Sequence, residues 1–303
     1  MTSENRAALP ITEQENPKTS NLSSLSSREI VQLMNDEDAL VALAIQEVLP
    51  EVARAVEAVA ARLMQGGRLF YIGTGTSGRL GVLDAAECPP TFGVSPELVQ
   101  AIIAGGYDAC HRAVEASEDD EQAGVDDLMA RGFSADDALV GIAASGGTPY
   151  TVGAVAYARS VGGFTVGLTC APGSAITAAA ELSIVPVVGP EVLAGSTRLK
   201  AGTAQKMVLN MLSTATMVKL GYVSGNRMTN VQTRNVKLRA RAIRIIMGEA
   251  GVDERVASEN LEKAQGKLPA ALVISKTGCS LEQAERALVE AGGVVSRATE
   301  ALS

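Results

Sequence analysis

The chain has no tryptophan, only four phenylalanines and five tyrosines, and a single histidine, His111. With aromatics at 3%, a core must be built from Ala, Val, Leu and Gly, which favours helices packed closely on a sheet. One histidine leaves a Ser-His-Asp triad or a multi-histidine metal site to be built on His111 alone. Acid–base chemistry therefore falls to Glu, Asp, Lys or Tyr. Cys88, Cys110, Cys170 and Cys279 are far apart and form no C-x-x-C pair. That argues against a structural zinc or disulfide framework and points to a reducing compartment. No apolar run approaches the ~20 residues that a membrane-spanning helix needs. The polar N-terminus, with Pro10 and Pro17, has no apolar stretch of the signal-peptide kind. A net charge of −8 supplies no basic face for nucleic acid. The expectation is a soluble cytoplasmic protein with neither nucleic acid nor membrane as partner.

Within 303 residues, 47% of them apolar, there is room for one large domain and a smaller one. The chain is organised around Leu69–Gly81, LFYIGTGTSGRLG. A buried strand, a glycine turn and a helix start place backbone N–H groups at the positive end of a helix, which makes an anion site. Thr74, Thr76 and Ser77 add hydroxyl donors, and the glycines through Gly78 let the backbone come close. The run fits G-x-G-x-x-G, but no strand ending in an acid follows about 20 residues on, as a dinucleotide site requires. Gly78-Arg79-Leu80 is not the Gly-Lys-Ser/Thr of a P-loop. The pattern suits a phosphate monoester; a tight turn with no ligand is the plainer alternative.

Residues 1–54 read as an N-terminal arm, loosely ordered through about residue 27, and helices. Ser26 and Ser27 precede a helix through Met34, and a longer one from Asp38 to Met64 is interrupted near Pro50. Residues 55–250 read as the main domain. After the glycine loop, Pro89-Pro90 should stop the helix and leave Glu87 at its end. Apolar strands at 98–103, 138–144, 164–169 and 184–188 alternate with helices, predicting a parallel sheet covered on both faces, an α/β fold. Residues 251–303 read as a compact three-helix appendage, a docking or dimer element. In it Ala264–Ala271 echoes Ala291–Ala298.

Ser145-Gly146-Gly147-Thr148 repeats the strand, Ser/Gly/Thr turn, helix logic, and Ser196-Thr197 opens a third helix. Such loops can converge at the carboxyl ends of the strands, where open sheets bind ligands. Ser77 and Ser145 would each donate to one phosphate, and Lys200 and Lys206 can add positive charge or form a solvated helix face. Glu87, beside a stiff Pro-Pro, can act as an acid or be an ordinary helix-end carboxylate. Glu115 and Glu118 lie three apart and can share a helix face, but on spacing alone the acidic run reads as solvated surface. Cys88 reads as packing.

Asp84-Ala85-Ala86-Glu87-Cys88-Pro89-Pro90-Thr91-Phe92 is the most specific block of a wider pattern. With Thr12-Glu13-Gln14, Asn16-Pro17, Ile103–Gly106, Val114–Asp119 and Ser196–Thr203, the chain resembles the N-acetylmuramic acid 6-phosphate etherases over almost its whole length. It carries Ala116-Ser117 where that family has Gly-Ala. The resemblance implies a sugar isomerase (SIS) fold, a three-layer sandwich with a parallel sheet, and a C-terminal helical domain like a ubiquitin-associated (UBA) fold. It implies a cytoplasmic homodimer that needs neither metal nor cofactor and works in cell-wall sugar recycling. The substrate would be N-acetylmuramate 6-phosphate, cleaved to N-acetylglucosamine 6-phosphate and D-lactate. By the motif match, Glu118 would be the base at C2 and Glu87 the acid for departing lactate. Thr76, Ser77, Gly78, Ser145, Gly146, Thr148, Ser196 and Lys200 would bind the phosphosugar. The alternatives are an aldose–ketose isomerase of the same fold and a non-catalytic phosphosugar sensor, as in the related glucokinase regulator.

Overall fold

A computed structural model of the chain describes residues 9–114, 118–230 and 236–303. They form two compact units, Met1–Ala85 with Val99–Leu212, and Ala86–Leu98 with Ser213–Ser303.

In the first unit, Ser26 and Glu29 form a capping box that starts α1 (Ser27–Gln46). This helix runs well past Met34, and the break falls at Glu47–Val48, just before α2 (Leu49–Met64). Pro50 sits in the first turn of α2, where its missing N–H costs nothing. There follow β1 (Leu69–Gly73), α3 (Gly75–Phe92), β2 (Val99–Ile103), α4 (Glu121–Ala130) and β3 (Ala138–Ile142). Then come α5 (Pro149–Ser160), β4 (Phe164–Leu168), α6 (Ala175–Ala179), β5 (Leu182–Ile184) and α7 (Lys200–Leu220).

The strands are all parallel, in the order β2-β1-β3-β4-β5. Every residue of β1, β3 and β4 is buried, as expected of a sheet covered on both faces. On one face, Phe70, Ile72 and Leu139 pack with Leu128 of α4, Val155 of α5 and Ile176 of α6. On the other, α3 lies so close that a side chain at Gly81 would meet Tyr71 at 3.0 Å and Ile142 at 3.4 Å. The Tyr71 hydroxyl donates to Asp84 at 2.9 Å, and the Asn210 amide of α7 donates to the other Asp84 oxygen at 2.7 Å. This is the three-layer α/β sandwich that the sequence predicted. Its strand order sends the connections from β1 and β3 in opposite directions, which opens a crevice between their carboxyl ends.

Two local expectations are corrected. Pro89 and Pro90 do not stop α3, which continues to Phe92. Proline's fixed φ is helical, and so close to the helix end only the last turns bear the missing N–H groups and the crowding of the preceding carbonyls. The arm is not loosely ordered between residues 9 and 26. It makes three short 3-10 turns, Ile11–Glu13, Pro17–Thr19 and Leu22–Ser24, with Thr12, Asn16 and Thr19 buried. Its anchor is Glu37 of α1. That buried carboxylate receives the Lys18 ammonium at 2.9 Å, the Asn16 amide at 2.9 Å and the Lys200 ammonium at 2.7 Å.

The second unit contains a two-stranded hairpin, β6 (Val223–Ser224) with β7 (Arg227–Met228), and α8 (Val236–Ala250). Ala242, Ile245 and Ile246 of α8 share one core with Leu261, Leu268, Leu272 and Ala298. Besides Ala86–Leu98, the unit takes in the chain from Ser213 rather than from residue 251, because the apolar face of α8 is buried here. After residue 251 come α9 (Glu254–Lys263), α10 (Leu268–Thr277), α11 (Leu281–Glu290) and the six-residue α12 (Val295–Glu300), one helix more than expected. The sequence echo is a structural repeat. The Gly266 N–H bonds the Leu261 carbonyl as the Gly293 N–H bonds that of Leu288, at 2.8 and 2.7 Å. Gln265 and Gly266 are both left-handed, as are Gly292 and Gly293. A cavity of about 790 Å³ lies against these two turns, within this unit. No helix among the described residues is long and apolar enough to cross a membrane.

Candidate functional site

At the carboxyl ends of β1 and β3 lies a hollow of about 230 Å³. The loop after β1 contributes Thr74, Gly75, Thr76 and Ser77; the loop after β3 contributes Ser145 and Thr148. Glu118, Thr197 and Glu13 complete its polar lining. The first bond of α3 runs from the Gly78 N–H to the Thr74 carbonyl at 3.0 Å. The N–H groups of Gly75, Thr76 and Ser77 precede it, so they are the donors that a helix start leaves for an anion. Gly78 does not line the hollow. A side chain there would sit 2.6 Å from both the Gly73 carbonyl and Ile103, so its role is close approach of helix to strand. Gly146 likewise lies behind the loop, beside Ser174 and Thr169.

Glu118 is positioned through its backbone. The Tyr150 N–H at the start of α5 donates to the Glu118 carbonyl at 3.1 Å. Pro149, just before it, has no N–H, so the first donor of α5 is committed to holding Glu118. The carboxylate lies 3.4 Å from where a side chain on Gly75 would begin. It also lines a neighbouring hollow of about 240 Å³, with Thr76, Arg79 and Val114. Arg79 spends its guanidinium on the carbonyls of Ala109 and Arg112, at 2.9 and 2.8 Å. Glu118 thus borders both spaces. Glu115, Ala116 and Ser117 lie outside the described residues.

Besides Gly78 and Gly146, two more of the residues read as phosphosugar ligands do not line the hollow. Lys200 does not reach the hollow: it is 1% exposed, and its ammonium closes the ion pair with Glu37. Nor is it on a solvated face. Ser196 does not line the hollow either, although Thr197 beside it does. The start of α7 is already filled, because the Glu191 carboxylate accepts the N–H groups of Lys200 and Ala201 at 3.0 and 2.9 Å. Burial raises the Glu191 carboxyl above its ordinary range, against the opposing pull of those two N–H groups. Glu87 lies on the part of α3 that belongs to the second unit, and it is exposed. Cys88 is buried, and burial together with the charge of Glu191 pushes the Cys170 thiol up to about 12, which makes it inert.

Sequence reasoning missed two residues. The Ser77 hydroxyl donates to Gln205 of α7 at 2.9 Å, a pairing across 128 positions that no local pattern announces. In the sequence Glu13 stands only as part of a motif, and nothing local shows that the arm reaches the hollow.

A model of the glucokinase regulatory protein N-terminal SIS domain matches residues 51–159, a span that holds both hydroxyl loops and Glu118. Over 289 residues the chain is 50% identical to the N-acetylmuramic acid 6-phosphate etherase of Geobacillus sp. (strain WCH70), covering 95% of this chain and 98% of that one. It is 51% identical to the etherase of Glaesserella parasuis serovar 5 (strain SH0165), covering 95% of each. The chain belongs to the N-acetylmuramic acid 6-phosphate etherase family. Among solved structures it is similar to a phosphoheptose isomerase from Neisseria gonorrhoeae, with a TM-score of 0.49 and 19% identity over 63% of this chain and 99% of that one. In this member of the etherase family, then, the hollow is built by the two loops that flank the change of direction in the sheet, and its donors are hydroxyls and backbone N–H groups.

Proposed function

We propose that the chain cleaves the D-lactyl ether of N-acetylmuramate 6-phosphate, giving N-acetylglucosamine 6-phosphate and D-lactate. The observation that carries this reading is the match at 50% identity, over nearly the full length of both chains, to proteins bearing that activity as their name. The hollow supports it with helix-start N–H groups and hydroxyls for a phosphate and a carboxylate beside them.

The proposed route is elimination followed by addition. In the open-chain sugar the C2 proton is acidic because it lies α to the C1 aldehyde. Glu118 takes that proton, a C2=C3 double bond forms, and the C3–O bond breaks. Glu87 protonates the departing oxygen, which leaves as the hydroxyl of D-lactate. The resulting glutamate carboxylate then takes a proton from water as its oxygen adds at C3, and Glu118, its proton exchanged with solvent, delivers a proton back to C2. Glu87 enters on the motif match and Glu118 on both the motif and its place in the hollow. We also assign the chain to the cytoplasm as a homodimer, which the family resemblance supports.

The test is incubation of the purified protein with N-acetylmuramate 6-phosphate and measurement of D-lactate. Release, with deuterium gained at C2 when the reaction runs in D2O, is the expected result. No lactate removes the reading and leaves the isomerase, which needs the same cradle and a base but no acid at C3. Match of residues 51–159 to a regulator's domain favours one further reading, a sensor, and lactate release by the wild type excludes a purely sensing role.

A further inference from the structure

The hollow contains a feature that phosphate binding does not explain. Glu13 lines it as well as Glu118, and no Lys or Arg is among the described residues that do. Two carboxylates repel a bare phosphate dianion, and a carboxylate can only accept hydrogen bonds. What it can accept from is the hydroxyl-bearing part of a ligand whose phosphate sits elsewhere in the same hollow.

The position of Glu13 is built. Its N–H donates to the Pro10 carbonyl at 2.8 Å, inside the 3-10 turn Ile11–Glu13. The next segment of the arm is fixed by Asn16, whose amide donates to Glu37 at 2.9 Å and to the Pro190 carbonyl at 3.3 Å. Lys18 and Lys200 close on the same Glu37 carboxylate. The chain at Gly195 comes up to Glu13, with Oε2 only 3.2 Å from where a side chain there would begin. Held between the arm and that loop, the Glu13 carboxylate makes no side-chain hydrogen bond or ion pair among the described residues. Its acceptor capacity is left for a ligand.

We infer that Glu13 is a substrate-recognition residue, which accepts a hydrogen bond from a sugar hydroxyl and makes the hollow select phosphorylated polyols over phosphate alone. The inference deepens the etherase reading and rests on it only for which sugar is bound. It assigns the N-terminal arm to the site.

Titration calorimetry tests it with three probes, N-acetylglucosamine 6-phosphate, ethyl phosphate and inorganic phosphate, on wild type, Glu13→Ala and Glu13→Gln. A hydrogen bond to a charged acceptor is worth about 10- to 100-fold in affinity. Glu13→Ala is expected to weaken the sugar phosphate by about that factor. The same variant is expected to bind inorganic phosphate and ethyl phosphate as well as wild type does, or better, since a repelling charge is gone. Glu13→Gln, which keeps an acceptor oxygen, should fall between. Equal loss for all three probes would mean that the substitution only disturbs the arm, and would overturn the inference. So would unchanged affinity for the sugar phosphate. A wild type that releases no lactate removes the etherase reading, while the same split among the three probes still upholds Glu13.

Discussion

Among the helices of the first unit that start after runs of Ser, Thr and Gly, α3 and α7 differ most, although the runs before both reach the hollow's rim. Before α3 the run is Gly73-Thr74-Gly75-Thr76-Ser77; before α7 it is Gly195-Ser196-Thr197. At α3, three N–H groups precede the first helical bond and the hydroxyls beside them line the hollow. At α7, the equivalent donors are taken by Glu191, which is fully buried, and the first helical side chain, Lys200, is buried against Glu37. The same local chemistry therefore produces a ligand cradle at one helix and an internal seal at the other. What decides is a carboxylate supplied from outside the run. Glu191 comes back nine residues ahead of Lys200, and among the described residues no carboxylate is hydrogen-bonded to the first N–H groups of α3.

The sharpest way to break this contrast is to remove the charge at the sealed start. Lys200→Met leaves Glu37 buried with one ammonium fewer, and the expected cost is about 3–5 kcal/mol of stability, read from urea unfolding. Full stability with lost phosphate affinity would return Lys200 to the ligand. At the open start, Glu118→Gln is expected to lower kcat by at least ~100-fold, and so is Glu87→Gln, while sugar-phosphate affinity by calorimetry survives. Turnover like that of wild type in either variant would end that residue's role.

Acid is a gentler probe of the seal. Burial pushes the Glu37 carboxyl up, but the Lys200 and Lys18 ammoniums and the Asn16 amide outweigh it and hold the group at about 2, below its ordinary 4.5. A depressed carboxyl stabilises the fold fully above about pH 4.5 and loses that contribution as pH falls through about 2. Urea midpoints measured across this window should fall more steeply for wild type than for Glu37→Gln; parallel curves would deny Glu37 its part. Smallest are the hydroxyl deletions: Ser145→Ala is expected to weaken N-acetylglucosamine 6-phosphate by a few-fold to ~10-fold, and Ser77→Ala by less, since the one Ser77 O–H is given to Gln205. Affinity unchanged in both would count against the cradle.

The contrast also marks what the sequence made legible. Apolar runs such as Leu69–Ile72 and Ala138–Ile142 are buried at every position, so periodicity located the strands and their alternation with helices announced a parallel sheet. The hydroxyl loops were legible for the same reason: strand, turn and helix start are consecutive in the chain. Pairings between distant segments were not. Ser77 with Gln205, Glu37 with Lys200 and Glu191 with the start of α7 are decided by tertiary packing, and each partner alone reads as ordinary polar surface. Pro89-Pro90 misled for a local reason, because a helix near its end tolerates what its middle does not.

The Glu37–Lys200 pair joins positions 163 residues apart in the chain. A ribosome releases the arm long before it releases the ammonium that fastens it, so for most of synthesis Glu37 has only near neighbours to bond. Contacts of such separation form late, after the local turns and neighbouring strands. The acidic lip of the hollow is then among the last features to settle, and a chain interrupted before residue 200 would carry a finished glycine loop with no fixed border around it.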